Sequence, residues 1–159
     1  LGSSAGQLAV WKERPGGTSR IWVSQFDGGE WSTPEKLKEV PSFEYFSAMS
    51  HDDVIILGYE TQEGVVLEPQ VKGAKTLSPN DLDDAAEPLF VDEIAGKIPV
   101  FWAADDGTIR GSAFSLNDER WLSEFMIEGA TIDDRSSLQV QHISGERTLV
   151  TWQNSLAID

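Results

Sequence analysis

The segment Ile98-Pro-Val-Phe-Trp102 is a short apolar run that ends in an aromatic residue, and it has three counterparts in the chain. These are Leu8-Ala-Val-Trp11, Ile55-Ile-Leu-Gly-Tyr59 and Leu149-Val-Thr-Trp152. Their aromatic ends follow one another at intervals of 48, 43 and 50 residues. Self-similarity at a nearly fixed period is typical of a fold built from repeated supersecondary units. The chain is therefore predicted to be a repeat protein.

The segments between these runs have the pattern of strands. A turn and a second strand with alternating apolar positions follow the first three runs, at Arg20–Phe26, Gly64–Val71 and Thr108–Phe114. An outer strand is then predicted at Glu30–Leu37 and at Arg120–Ile127. No stretch keeps apolar residues at helical spacing over three turns. The pattern predicts an all-β fold.

The repeat length selects between two all-β architectures. Blades of a β-propeller are four-stranded antiparallel sheets that recur about every 40 to 50 residues, whereas a β-sandwich has no reason to repeat. We expect a single partial propeller over residues 1–159, with units at 7–53, 54–96, 97–145 and the start of a further unit at 146–159. A β-sandwich is the alternative. Gly6, Gly96 and Gly145 precede three of the aromatic ends, as tight hairpins would require.

About three blades are too few to surround an axis, because propellers close with roughly four to eight. We therefore expect another chain, another copy of this chain or further residues of a longer protein to complete the propeller. The chain opens Leu1-Gly2-Ser3-Ser4 without Met, which favours a processed or excised piece.

The composition limits the kinds of partner that the chain can bind. Twelve Lys and Arg against 27 Asp and Glu give a net charge of −15, which repels phosphate backbones and anionic lipid. We read the acidic surface as a source of solubility and expect no nucleic-acid partner. The chain has no Cys, and its longest apolar runs, such as Val54–Leu57, are far below the roughly 20 residues that span a bilayer. No membrane span is predicted.

One stretch resembles a known repeat. Ser24-Gln-Phe-Asp-Gly-Gly-Glu-Trp31 resembles the Asp box of sialidase-like propellers, Ser-x-Asp-x-Gly-x-x-Trp, and matches it at Ser24, Gly28 and Trp31. The aspartate position holds Phe26, and the acid follows as Asp27. The longer stretch from Arg20 to Trp31 is also similar to blades of fucose-binding propeller lectins. The resemblance covers about a fifth of the chain, and around Trp121 the corresponding positions are degenerate.

The resemblance implies architecture before activity. In these families the Asp box is a turn motif on the outer hairpin, away from the ligand, and fold alone does not fix function. Many such proteins are secreted, so the resemblance implies an extracellular or periplasmic location. Sialidase chemistry would need three converging arginines and a Tyr–Glu pair. The six arginines carry no Phe-Arg-Ile-Pro signature, and Tyr45 and Tyr59 have the pattern of strand packing.

Candidate ligand-binding residues fall in two groups. Arg20, Trp22 and Trp31 belong to the lectin-like stretch, where aromatic rings can stack on sugars and a guanidinium can bind hydroxyls; packing between blades is the alternative role. A second group, Asp83, Asp84 and Glu87, precedes an inner strand that would face the axial funnel. Paired carboxylates there suit glycoside hydrolysis, and the alternative is that they only form turns.

A cation site is the last alternative. Asp81, Asp83 and Asp84 can supply oxygen ligands to calcium, although the spacing is not that of an EF-hand loop. We expect no other cofactor, and neither His51 nor His142 has a partner at metal-ligand spacing.

The sequence thus favours a non-catalytic propeller segment outside the cytoplasm that serves as an interaction or carbohydrate-recognition scaffold for a glycan or protein. No catalytic residue is assigned. The alternative is a fragment of a sialidase-like or other propeller glycoside hydrolase.

Overall fold

Strands make up almost all regular structure in the computed structural model. It describes residues 7–41, 45–52, 54–61, 64–71, 75–76, 80–82, 88–133 and 137–153. In these ranges the strands form four antiparallel sheets that follow one another along the chain. None of the described segments is a helix long and apolar enough to cross a membrane.

The first two sheets cover the N-terminal half. The first sheet has the order β1 (Gln7–Glu13), β2 (Thr18–Phe26) and β3 (Glu35–Pro41). The second sheet has β4 (Phe46–His51), β5 (Val54–Thr61) and β6 (Gly64–Val71), and its outer strand consists of two short pieces that both pair with β6, namely β7 (Lys75–Thr76) and β8 (Asn80–Leu82).

The remaining strands form the third and fourth sheets. The third sheet has β9 (Leu89–Phe90), β10 (Lys97–Ala103) and β11 (Thr108–Ser115), followed by β12 (Arg120–Trp121) and β13 (Phe125–Thr131), which both pair with β11. The fourth sheet is the hairpin of β14 (Gln139–Ser144) and β15 (Arg147–Thr151). The turns into β10 and β15 contain Gly96 and Gly145 at positive φ, as tight hairpins require.

The predicted repeat is present in the strand register. The four apolar runs lie in β1, β5, β10 and β15, with Trp152 directly after the end of β15, so each occupies the same place in its sheet. Their aromatic ends also have equivalent partners on the next strand, because Trp11 lies opposite Trp22, Tyr59 opposite Val66 and Trp102 opposite Arg110.

The outer strands differ from the prediction. We expected continuous strands at Glu30–Leu37 and Arg120–Ile127, but Trp31 forms only an isolated bridge with Phe26, and β3 begins at Glu35. In the third sheet the same interruption separates β12 from β13. Pro34 lies within the first interruption, where its missing N–H breaks no ladder bond. In the first and third sheets the outer strand is therefore interrupted.

The sheets stack in chain order through their apolar faces. Ile21 and Val23 of the first sheet pack against Ile55, Leu57 and Tyr59 of the second. Burying each such side chain contributes about 1.5–3 kcal/mol.

The next two interfaces repeat this arrangement with other residues. The second and third sheets share one cluster that includes Leu67 and Trp102, and another that joins Ile56 to Ile98 and Phe114. The third and fourth meet where Ala103, Ile109, Ala130 and Ile132 contact Leu138, Val150 and Trp152.

The innermost strands lie side by side, since β9 is adjacent to both β4 and β14. A two-sheet sandwich does not produce four sheets in succession with adjacent inner strands. The fold class is therefore that of consecutive antiparallel blades of a partial β-propeller, as predicted.

Candidate functional site

Half of the predicted ligand-binding residues lie within the part of the chain that the structure describes. Arg20 and Trp22 lie on β2, and Trp31 lies on the connection to β3. The carboxylate group of Asp83, Asp84 and Glu87 lies outside the described residues. The first sheet is therefore the region in which the candidate site can be examined.

Arg20 takes part in an exposed ion-pair network. Its Nε donates to Oε2 of Glu39 at 3.0 Å, and Nζ of Lys36 donates to the same oxygen at 3.0 Å. The hydrogen bonds from Lys36 and from Arg20 lower the pKa of Glu39 below its ordinary value. Exposed pairs of this kind contribute little to stability. The guanidinium is thus held within its own sheet.

Trp22 has the environment of a packing residue. It lies opposite Trp11 and is half-buried. Its indole Nε1 is buried and has no hydrogen-bond partner among the described residues. A sugar-binding indole normally keeps its polar edge accessible to hydroxyls. The geometry favours the packing role for Trp22.

Trp31 is the exposed aromatic of the group. Its side chain is 49% exposed, and its ring lies 5.4 Å from that of Phe26 at an angle of 45°. The turn between them is closed by Asp27, whose Oδ1 accepts hydrogen bonds from the backbone N–H of Gly29 at 3.2 Å and of Glu30 at 3.4 Å. The acid displaced from the Asp-box position therefore has a turn-forming role.

The hydroxyl of Ser24 completes this motif. Ser24 Oγ donates to the carbonyl of Ser32 at 2.7 Å, and the N–H of Ser32 donates to the carbonyl of Gln25 at 2.8 Å. Together these bonds attach the residue after Trp31 to β2. The serine of the Asp-box-like stretch thus attaches the segment that leads into β3 to β2.

The third sheet contains the same arrangement, although its sequence is degenerate there. Ser112 Oγ donates to the carbonyl of Leu122 at 2.9 Å, and the N–H of Leu122 donates to the carbonyl of Ala113 at 2.9 Å. Trp121 lies against Phe114 with ring centroids 5.3 Å apart. Because the geometry recurs without the full motif, it favours an architectural role for this stretch.

The structure does not bring Arg20 and Trp31 together. Arg20 lies opposite Glu39, whereas Trp31 bridges to Phe26. Six residues of strand separate Arg20 from Phe26, or roughly 20 Å at about 3.3 Å per residue. One monosaccharide cannot contact both side chains.

A polar cluster that the sequence analysis did not identify lies between the first two sheets. Glu68 on β6 is buried, and its Oε2 accepts hydrogen bonds from Nζ of Lys38 on β3 and from the hydroxyl of Tyr59 at 2.6 Å. Its Oε1 accepts from Nε2 of Gln70 at 3.0 Å. Nζ of Lys38 also lies 5.4 Å from the centroid of the Tyr59 ring.

The surroundings of Glu68 keep it ionised. Burial raises the pKa of the carboxyl, but the hydrogen bonds from Lys38, Tyr59 and Gln70 and the charge of Lys38 outweigh it, so the pKa is lowered. A buried carboxylate needs such partners, because an unpaired charge inside a protein is costly. The cluster is an electrostatic link between two sheets.

The strand register shows that Glu68 replaces a serine. Glu68 lies opposite Leu57, in the place where Ser24 lies opposite Ala9 and Ser112 lies opposite Val100. The available sequence signal was an acid within an apolar alternating strand, at Val66-Leu67-Glu68. Lys38 is 30 residues away in the chain, so no local pattern pointed to the pair.

The cluster includes a Tyr–Glu pair, and the sialidase resemblance would require such a pair as the nucleophile. The Tyr59 side chain is buried and its hydroxyl already donates to Glu68, so a substrate could reach it only if the first two sheets separated. The hydroxyl of Tyr45 donates to the carbonyl of Pro88 at 2.6 Å. Both contacts agree with the packing roles expected from the sequence.

Three arginines bind groups of their own sheet. Arg20 binds Glu39, while Arg110 binds Asp106 at 2.9 Å and Arg147 binds the hydroxyl of Ser144 at 3.0 Å. Arg135 lies outside the described residues. These three arginines therefore lie on three different sheets.

The predicted calcium ligands cannot be examined as a set. Asp81 belongs to β8, but its side chain is not described, and Asp83 and Asp84 fall outside the described ranges. Within those ranges, no three His, Asp or Glu side chains are grouped to hold a metal ion. Calcium binding stays a prediction.

The acidic hairpin before β11 is an ordinary turn. Asp106 Oδ1 accepts from the N–H of Thr108 at 2.9 Å and from its hydroxyl at 2.6 Å. These bonds, with a further one from Arg110, lower the pKa of Asp106 to about 2.

Comparisons with known proteins show only limited similarity. No protein-family model and no curated protein matches the chain. A structure of NanB with Optactamide is similar at 18% identity and a TM-score of 0.45, covering 71% of this chain and 20% of that one. A mutant NanB sialidase from Streptococcus pneumoniae is similar at 18% identity and a TM-score of 0.48, covering 77% and 21%. The chain thus spans about a fifth of these structures, and the fold assignment rests on the sheets themselves.

Proposed function

We propose that this chain is a non-catalytic segment of an extracytoplasmic β-propeller that acts as a rigid interaction scaffold. The observation that carries the proposal is the aromatic face of the first sheet, formed by Trp11, Trp22, Phe26 and Trp31. Alternation along β1 and β2 places these residues on the side away from the second sheet. No other sheet of the described chain packs on this face.

The internal repeat supports an interaction role for the aromatic face. In the third sheet, the equivalent Trp102, Phe114 and Trp121 pack against the second sheet. Apolar surface that is covered in one repeat and open in another is a typical interaction surface. By this equivalence, the partner of the aromatic face is a further sheet that presents aliphatic side chains, from another chain or another copy.

Sedimentation of the purified chain tests this proposal. We expect an assembly heavier than the 17.5 kDa monomer, and Trp31→Glu to restore the monomer. Phe125→Glu is the matched control, because Phe125 is another half-exposed aromatic, 47% exposed, on the third sheet. A cooperatively unfolding monomer under all conditions would count against the proposal.

Carbohydrate recognition is a second candidate function, favoured by the exposed indole of Trp31 beside Phe26. Aromatic rings of this kind stack on sugar faces. A glycan array followed by titration of the best ligand tests it. Trp31→Ala is expected to weaken binding at least tenfold, while Phe125→Ala leaves it unchanged. Equal glycan binding by the wild type and both variants would exclude the surface around Trp31 as the binding site.

The hydrolase alternative predicts turnover instead of binding alone. It requires catalytic groups outside the described residues, and the sequence suggests Asp84 and Glu87. Hydrolysis of glycosides by the intact protein, lost in Asp84→Asn or Glu87→Gln, would support it. Binding without turnover would support the scaffold.

A further inference from the structure

The sequence contains two Asp-Gly dipeptides, and both lie in turns between strands. Asp27-Gly28 lies between β2 and β3, and Asp106-Gly107 lies between β10 and β11. In an Asp-Gly dipeptide the backbone nitrogen of Gly can attack the preceding side chain most readily, because Gly has no Cβ to obstruct the approach. The two turns therefore offer the same reaction in two different structural settings.

The turn at Asp106 holds both reacting groups in short hydrogen bonds. The carboxylate accepts from the N–H of Thr108 at 2.9 Å, from its hydroxyl at 2.6 Å and from Nη2 of Arg110 at 2.9 Å. The N–H of Gly107, which carries the attacking nitrogen, donates to the carbonyl of Ala104 at 3.0 Å. Attack of Gly107 on Asp106 would therefore require several hydrogen bonds to break together.

The ionisation of Asp106 also opposes the reaction. Ring closure expels a carboxyl oxygen as water, and a neutral carboxylic acid loses this oxygen far more readily than a carboxylate does. The hydrogen bonds from Thr108 and from Arg110 lower the pKa of Asp106 to about 2. The reactive neutral form is therefore scarce at neutral pH.

The turn at Asp27 is held by longer hydrogen bonds. Its Oδ1 accepts from the N–H of Gly29 at 3.2 Å and of Glu30 at 3.4 Å, and its own N–H donates to the carbonyl of Glu30 at 3.5 Å. The usual N–H···O distance is about 2.9–3.0 Å. Residues 27–30 are exposed, and a Cβ added to Gly28 would meet no atom of the described chain within 4 Å. The surroundings thus leave room for the side chain to turn onto the Gly28 nitrogen.

We propose that Asp27 is a site of spontaneous isoaspartate formation. The Gly28 nitrogen attacks Cγ of Asp27, so that a C–N bond forms and a C–O bond breaks. The amide proton leaves with the carboxyl hydroxyl as one water, and a five-membered succinimide remains. One water then opens the ring, and opening at the former backbone carbonyl of Asp27 gives isoaspartate. The reaction needs no oxidant and leaves the mass of the chain unchanged.

Isoaspartate at this position would loosen the turn that leads to Trp31. The reaction adds one methylene to the backbone and moves the carboxylate, so the hydrogen bonds to the N–H groups of Gly29 and Glu30 cannot both persist. Trp31 bridges to Phe26 across the same turn, and their rings are in contact. The modification would therefore alter one end of the aromatic face, although the reaction itself does not depend on the scaffold function.

Incubation of the folded chain for several weeks at neutral pH in water labelled with oxygen-18 tests the proposal. Peptide mapping with a fragmentation method that distinguishes isoaspartate from aspartate measures both turns in one sample. We expect isoaspartate at Asp27 with one oxygen taken from the solvent. Its formation should be at least about tenfold faster than at Asp106, whose neutral form is scarce.

Three controls separate the effect of the fold from that of the dipeptide. In urea the two dipeptides should react at similar rates, because the turns are lost. In the folded chain, Arg110→Gln should accelerate the reaction at Asp106 and leave the rate at Asp27 unchanged. Asp27→Glu should abolish the product at the first turn, since the ring that glutamate would form has six members and closes far more slowly.

Any of four results would overturn the proposal. The first two are the absence of isoaspartate at Asp27 and equal rates at the two turns of the folded chain. The third is a difference in rate that is as large in urea as in the folded chain, which would assign it to the flanking sequence. The last is isoaspartate at Asp27 without solvent oxygen, which would exclude the succinimide.

Discussion

Lys38 on β3 and Glu68 on β6 join the first sheet to the second through a partly buried, hydrogen-bonded ion pair, and Tyr59 on β5 donates a further hydrogen bond to Glu68. Apolar clusters lie at this interface and at the next two. Apolar packing is close but has little directional preference, whereas a hydrogen-bonded ion pair holds its partners at a defined distance and angle. The pair is thus suited to set how the first sheet lies on the second.

Removing either partner is expected to destabilise the protein. Lys38→Met and Glu68→Gln should each lower the free energy of unfolding by roughly 1.5–3 kcal/mol, because a charged hydrogen bond is lost within a buried interface. The double variant should lose clearly less than the sum of the two, since both changes break the same interaction. Urea unfolding of the four proteins measures these values.

The exposed pair of Arg20 and Glu39 is the control for this cycle. Arg20→Met and Glu39→Gln should each change the free energy of unfolding much less than the changes at Lys38 and Glu68 do, because exposed ion pairs contribute little. Two results would contradict the proposed link between the sheets. One is that the losses of unfolding free energy at Lys38 and Glu68 add up in the double variant, and the other is that the exposed pair loses as much as this pair does.

The same carboxylate predicts a loss of stability in acid. The folded-state pKa of Glu68 is lowered, so its stabilising effect is complete above the pKa of the unfolded chain, about 4.3 for Glu, and is lost as the pH falls through the folded value. The stability difference between the wild type and Glu68→Gln should therefore be constant near neutral pH and shrink below about pH 4.3. A difference that grows on acidification would show that the carboxyl is protonated at neutral pH.

The repeat was predictable because its signal is local. Four short apolar runs with aromatic ends lie in equivalent strands, and their spacing predicted consecutive repeated units. The interruption of the outer strand was harder to predict, since Ser32 leaves the strand through bonds to Ser24 and Gln25 that a strand pattern does not reveal. Sequence alternation reports which face a side chain occupies, but not where pairing stops.

The candidate site was less predictable, for a related reason. Whether Trp22 and Trp31 bind a ligand or pack depends on which sheet covers them, and that contact is not encoded near them in sequence. Glu68 was missed because its partner Lys38 belongs to a different sheet. Residues that act across sheets are visible only when the stacking is known.

Close approach of neighbouring side chains, above all that of Ser47 on the adjacent strand, predicts a steric effect at Gly58. A Cβ added there would lie 2.8 Å from Oγ of Ser47 and 3.5 Å from side-chain atoms of Leu67 and Phe90. Gly58→Ala is expected to cost about 1–3 kcal/mol through overpacking, and Ser47→Gly in the same chain should recover part of it. Thermal and urea unfolding measure both effects.

Gly29 provides the matched control for this substitution. An added Cβ there meets only Oδ1 of Asp27, at an ordinary 3.7 Å. Gly29→Ala should stay within about 0.5 kcal/mol of the wild type. Similar losses of unfolding free energy for Gly58→Ala and Gly29→Ala would mean that the close contacts at Gly58 do not limit the size of the side chain there.

The recurring serine tests whether the Asp-box-like stretch is architectural. Ser24 and Ser112 each donate to the carbonyl of the residue that follows a tryptophan, and both hydroxyls are removed by substitution with Ala. Each variant should lose about 0.5–1.5 kcal/mol, because one hydrogen bond is lost at a buried site, whereas exposed Ser123→Ala should be neutral. Amide hydrogen exchange at Ser32 and Leu122 should accelerate in the corresponding variant, since their N–H bonds to β2 and β11 depend on the same attachment. Equal losses at the two serines indicate one structural role in both blades. A Ser24→Ala variant of unchanged stability that fails to bind a ligand of the intact protein would instead assign the stretch to recognition.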